Sequence, residues 1–270
     1  MGSMFNLDFN ELFTFFIVLI RISTALILFP IFGEKNIPTM AKILLSLSIS
    51  IAVYPGLVSQ GLVIPGNASF WLENAYSLCS TVALEAVLGL ALGYVVKIIY
   101  DCFQFGGDLI GQMMGLSAAS QFDPSQESQT QIVTKFQMTL AALFFLAIDG
   151  HHFLLQGLIS TYRWVQVGGV NLLTGSFASY LLQVSGQFFW IGLQIAAPML
   201  IVSFGINVAY GVISKAMPQM NILVLSFSIS AIVGFFVMFM SLDAFHDVAI
   251  GVFSKMEEQM FGAIKAMAGK

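Results

Sequence analysis

The sequence predicts an all-α, polytopic integral membrane protein built from helical hairpins and carrying one short re-entrant, plug-like loop. Three observations point there. Of its 270 residues, 58% are hydrophobic and only 9% charged, against roughly 25% charged in a soluble domain. Twenty-six Phe and fourteen Met stand against ten Lys plus Arg, which leaves too little polar surface to clothe a core of this size in water. Apolar runs also recur at the length, about 20 residues, that carries a helix across a bilayer.

The same composition excludes other classes. The formal charge is -4 and no basic block exists, so a nucleic-acid partner has no electrostatic footprint. Cys79 and Cys102 lie in or beside apolar runs without metal-ligand spacing and read as small buried hydrophobes. The opening residues hold neither a basic stretch nor a small-residue cleavage site, so the first apolar run is expected to be retained.

The runs fall at 12–32, 40–60, 75–100, 132–160, about 180–213 and 222–242. The first carries Arg21, the third Glu85, and the fourth opens with Lys135 and contains Asp149, His151 and His152. A charge at the centre of a lipid-facing helix costs roughly 2.5–3.5 kcal/mol, so these side chains should face protein or water. Arg21 and Glu85 are candidates for an ion pair between helices; a neighbouring subunit or a channel are the alternatives. Adjacent histidines on a helix point about 100° apart, and no third ligand has a persuasive spacing, so Asp149, His151 and His152 read as a helix-end turn and not as a metal site.

The fifth run holds Gly192, Pro198, Gly205, Asn207 and Gly211, which suits a kinked helix or one standing proud of the membrane. Asn207 is expected to hydrogen-bond across helices. Pro218, Gln219, Met220 and Asn221 form a polar turn into the last run, giving an antiparallel hairpin. In the tail, 248–270, Phe253, Met256, Met260, Ile264 and Met267 share one face, which predicts an amphipathic helix lying on a membrane or a partner. Lys35, Lys42, Arg163 and the C-terminal lysines do not agree on one orientation.

The stretch 104–131, QFGGDLIGQMMGLSAASQFDPSQESQTQ, is the least ordinary. Gly107, Gly111 and Gly115 recur every four residues, as do Gly89 and Gly93 earlier, a spacing that aligns them into a groove on a helix. Pro124 disfavours helical geometry at Asp123, so a helix should end there. An element over 106–124 that dips into a protein-lined cavity and returns accommodates both facts, and flexible Met113 and Met114 suit an adaptable seal. An ordinary small-residue helix contact is the alternative.

No G-x-x-x-x-G-K-[ST], H-E-x-x-H or G-x-S-x-G motif occurs, so neither catalysis nor a cofactor is expected. The buried charges and the Gly/Pro breaks also suit a secondary transporter of a small solute.

Five segments carry a family likeness: RISTALILFPIFGEKNIPTMAK at 21–42, LEAVLGLALGY at 84–94, GGDLIGQMMGLSAASQFDP at 106–124, DGHH at 149–152 and NVAYGVISKAMPQMNIL at 207–223. Together they resemble the FliR family, the flagellar export-gate component whose injectisome counterpart is called SctT. The resemblance implies a structural, non-enzymatic subunit of the flagellar type III protein export gate in the bacterial inner membrane at the basal body, raised toward the periplasm. It implies about five FliP-like and several FliQ-like partners, FlhB-like and FlhA-like components, and unfolded flagellar proteins in transit. It implies a FliP-like part over 1–175, a FliQ-like hairpin over 176–247 and the amphipathic helix over 248–270. It also places channel closure at Gly107, Gly111, Met113, Met114, Gly115 and Phe122. Arg21, Glu85, Asn207, Pro218, Gln219 and Asn221 are then candidates for buried or interface positions.

Overall fold

A computed structural model describes residues 9–33, 37–68, 71, 74–116, 130–168, 175–217 and 222–267. They include eight helices and a short 3-10 turn: α1 Phe9–Leu28, α2 Thr39–Ser59, a 3-10 turn Pro65–Asn67, α3 Ala75–Met113, α4 Thr130–Ala147, α5 Gly150–Trp164, α6 Gly175–Ala216, α7 Ile222–Met240 and α8 Leu242–Met267. Four of them are long and apolar enough to cross a membrane, or up to six spans if each of two bent pairs counts as one. The all-α, multi-pass expectation is therefore met.

Local chemistry explains the ends. Helix α2 begins after Pro38, whose missing N–H costs nothing outside a helix. It ends in a Schellman motif: Gly61 sits at φ 68°, its N–H reaches the Val58 carbonyl at 3.0 Å, and the Leu62 N–H reaches the Leu57 carbonyl at 3.0 Å. Two carbonyls of the last turn are thus satisfied. Asp149 adopts φ 56° and donates its N–H to the Leu146 carbonyl at 3.1 Å, which makes it the turn that separates α4 from α5.

The residues group into two compact units. The first comprises 1–98, 151–184 and 255–270. Its core stacks Ile17, Val18, Ile22 and Ala25 of α1, Leu88, Leu92 and Val95 of α3, and Leu154, Leu158 and Tyr162 of α5, all buried. Gly89 and Gly93 let α3 approach α1 backbone to backbone: a Cβ at Gly89 would lie 2.5 Å from the Arg21 carbonyl oxygen, and one at Gly93 2.8 Å from that of Ala25. Helix α2 packs on α1, with Phe15 edge-on to Tyr54 at 5.6 Å between ring centroids.

The tail belongs to this unit from Lys255 onward, and here the expectation of a helix lying on a membrane or partner is corrected. Met256, Met260, Ala263, Ile264 and Met267 are buried by the chain itself. Met260 fills the space beside Gly157 of α5, Tyr180 donates its hydroxyl to the Gln259 carbonyl at 2.5 Å, and Ser176 donates to the Ala266 carbonyl at 3.0 Å. An amphipathic pattern specifies one apolar face and leaves open what covers it.

The second unit comprises 99–150 and 185–254. An aromatic cluster forms its centre: Phe103 lies 5.7 Å from Phe245 and 5.3 Å from Phe253, with Phe145 also 5.3 Å from Phe253. These separations fall within the range in which offset and edge-to-face aromatic pairs attract. Gly106 packs against Ile195 of α6, where a Cβ would lie 2.8 Å from that side chain. The two units interleave along the chain, so they run across the expected linear division at 175 and 247.

Candidate functional site: a buried ion-pair centre and the glycine-methionine segment

Arg21 and Glu85 meet in the first unit. Both are fully buried, and the guanidinium grips the carboxylate in a fork, Nε to Oε2 at 2.5 Å and Nη2 to Oε1 at 2.9 Å. Further hydrogen bonds come from groups nearby. Arg21 Nη1 donates to Thr161 Oγ1 at 3.0 Å and to the Val165 carbonyl at 3.3 Å. Glu85 Oε1 accepts from the Gly168 N–H at 2.9 Å. The guanidinium carbon stands 4.0 Å from the Tyr162 ring centroid, a cation–π contact that strengthens without water.

The pair therefore ties α1, α3, α5 and the chain just after α5 at one point. Its contact with the Val165 carbonyl also sets a cation against the negative end of α5. Bidentate geometry, with four of the five guanidinium N–H groups bonded, is the kind of arrangement in which a buried ion pair offsets its desolvation. Of the sequence alternatives for Arg21 and Glu85, the structure realises the interhelical pair. Thr161, Tyr162, Val165 and Gly168 carry no signal in the sequence that marks them as partners of this pair.

The glycine-methionine segment is divided. Residues 106–113 are the last turns of the 39-residue helix α3, and that helix is capped at Gly115. Gly115 takes φ 75° and donates its N–H to the Gln112 carbonyl at 3.0 Å, a left-handed cap open to glycine at no steric cost. Phe122, Asp123 and Pro124 lie outside the described residues.

Within α3, Gly107 and Gly111 are buried. Gly107 faces α4: a Cβ there would lie 2.9 Å from the Thr134 Cα and 2.8 Å from Gln137 Oε1. Beside it Thr134 donates to Asp108 Oδ1 at 2.6 Å. Met114 is fully buried with its side chain against Gly234 of α7, and Gly115 faces the Phe227 ring, 2.8 Å from where a Cβ would stand. The stem of the segment is thus held by helix contacts inside the second unit. Met113 is half-buried.

Asn207, a candidate for a buried or interface position, is exposed on α6, a helix with much of its apolar face uncovered by this chain. Pro218, Gln219 and Asn221 lie outside the described residues. Cys102 is buried as expected, whereas Cys79 is exposed near the start of α3. The His151 and His152 rings stand 4.2 Å apart between centroids, and their ring nitrogens and an Asp149 carboxylate oxygen lie within 4.8 Å of one another, closer than the spacing alone suggests.

Comparison with known proteins bears on both features. The family "Bacterial export proteins, family 1" matches residues 12–256. The chain is 27% identical over 248 residues to the flagellar biosynthetic protein FliR of Bacillus subtilis, covering 91% of this chain and 92% of that one. It is 29% identical over 217 residues to FliR of Escherichia coli, covering 80% and 78%, and 28% identical over 247 residues to FliR of Pectobacterium carotovorum, covering 92% and 91%. The match takes in Arg21, Glu85 and the whole of α3 through α7, and the chain belongs to the FliR family of flagellar biosynthetic export proteins.

Proposed function

We propose that this chain is a structural channel subunit of the flagellar type III protein export gate, forming part of the pore and of its closure for unfolded substrate proteins. The observation that carries the reading is the family match over residues 12–256, joined to a multi-pass helical architecture. The chain is not an enzyme; FliR-family proteins are structural subunits. Its place is the bacterial inner membrane at the basal body, with the assembled gate raised toward the periplasm.

The partners are FliP-like subunits, about five by resemblance, several FliQ-like subunits, and FlhB-like and FlhA-like components. The linear division into a FliP-like part over 1–175, a FliQ-like hairpin over 176–247 and a C-terminal helix belongs to this proposal. Large apolar side chains left exposed on α6 and α7, among them Ile201, Phe204, Ile232 and Phe236, support a chain that completes its surface against lipid and other subunits.

Closure is assigned to 106–124, with Gly107, Gly111, Met113, Met114, Gly115 and Phe122. Helix α3 acts as the rigid stem, and its contacts with α4 and α7 fix where the following residues emerge. Replacing Gly111 and Gly115 with Val tests this: ion leak through the membrane or lost motility is expected at normal abundance of the chain. Unchanged motility and no leak in the double variant would remove these residues from closure.

A further inference from the structure

We infer that the proline break in α6 is a hydrated site, taking one or two water molecules in a cavity between α4, α6 and the α7–α8 junction of the second unit. The cavity measures about 40 Å³ and is lined by Gln137, Gln194, Pro198, Ser241 and Phe245 among others. One water needs roughly 10–15 Å³ by this measure and two to four polar partners.

Three polar groups converge there. Pro198 lies inside α6 and has no N–H, so the Gln194 carbonyl four residues earlier is denied its helical donor. Gln137 is 4% exposed, and its Oε1 is buried with no hydrogen-bond partner among the described residues. Ser241 donates its hydroxyl to the Met238 carbonyl at 3.1 Å, which leaves its oxygen lone pairs to accept.

The donors and acceptors balance around one water. Gln137 Oε1 faces Gly107, 2.8 Å from where a Cβ would stand, so it meets a Cα–H, a weak donor that glycine alone presents this closely. That leaves the carboxamide nitrogen as the end for the cavity. A water accepts from it and donates to the Gln194 carbonyl and to Ser241 Oγ, making the three bonds typical of buried water. A Gln in the apolar interior, a proline one helix away and a serine at the next junction thereby share one explanation. A buried amide left unsatisfied at Gln137 is otherwise costly.

The test is a cycle on the full chain purified in the membrane assembly it forms. Gln137→Met keeps the volume and removes the donor; Pro198→Ala returns an N–H to the Gln194 carbonyl. With a bridging water, Gln137→Met lowers Tm by roughly 3–8 °C in the native background and by less than half as much beside Pro198→Ala. Thr134→Val, on the same helix but bonded to Asp108, should lose the same Tm in both backgrounds. A density map that resolves ordered water elsewhere should show a peak within hydrogen-bonding distance of the Gln137 carboxamide and the Gln194 carbonyl. Equal Tm losses for Gln137→Met in both backgrounds, or a cavity filled by an acyl chain or a side chain, overturns the inference.

Discussion

Replacing Glu85 with Gln is the sharpest perturbation the first unit offers. The shape is kept and one acceptor survives, yet the Arg21 guanidinium is left charged at zero exposure. Breaking a buried ion pair from one side costs about 3–5 kcal/mol. Arg21 keeps its bonds to Thr161 at 3.0 Å and the Val165 carbonyl at 3.3 Å, which sets the expected loss near the lower end, about 3 kcal/mol. For a chain of this size that is a fall in Tm of roughly 6–12 °C. Arg21→Met leaves the carboxylate instead, with the Gly168 N–H as its remaining partner, a cost of the same kind. The double variant Arg21→Met/Glu85→Leu buries no charge, and its residual cost is the Gly168 N–H and Thr161 left short of a partner, about 1–3 kcal/mol. Thermal unfolding of the four proteins in detergent reads all of this. A Glu85→Gln variant within about 1 °C of the parent, or a double variant as damaged as the sum of the singles, refutes the reasoning.

Further outcomes follow from packing. Met114→Ala should cost about 2–5 kcal/mol as a core truncation. Gly234→Ala, whose new methyl would collide with Met114, should be partly rescued by Met114→Ala, seen as a Tm above that of Gly234→Ala alone. Met260→Ala should loosen the tail from α5, also by about 2–5 kcal/mol, and expose the bond after Lys255 to trypsin under native conditions. Gly205 has open space where a Cβ would stand, so Gly205→Ala should raise the stability of the isolated chain by about 0.5–1 kcal/mol through helix propensity. If that face is covered in the assembly, the same change should lower the yield of the complex.

Much of this fold was legible because hydropathy and helical period are local properties. Six apolar runs, the stop before Gly61, the break at Asp149 and the special standing of Arg21 and Glu85 all lie on the surface of the sequence. What completes them does not. Nothing along the chain announces that Glu85 would accept from Gly168, 83 residues away, since partner choice is decided when α1, α3 and α5 pack. The tail shows the same limit: spacing revealed its apolar stripe, while α5 and the start of α6 supply its cover. At 106–113 the four-residue glycine spacing indicates a groove on a helix, and Gly107 on α3 is approached closely by Thr134 and Gln137, partners that the spacing alone does not name. The left-handed conformation of Gly115 that caps α3 is met by the close approach of the Phe227 ring, a contact the local sequence does not announce.

Native mass spectrometry of this chain, co-expressed with FliP-like and FliQ-like subunits and purified through a tag on the chain itself, addresses the central claim most directly. The account predicts one stable particle holding a single copy of the chain with several copies of each partner, weakened by Glu85→Gln. A partner-free monomer or homodimer that binds a small solute would contradict it and return the chain to the class of secondary transporters.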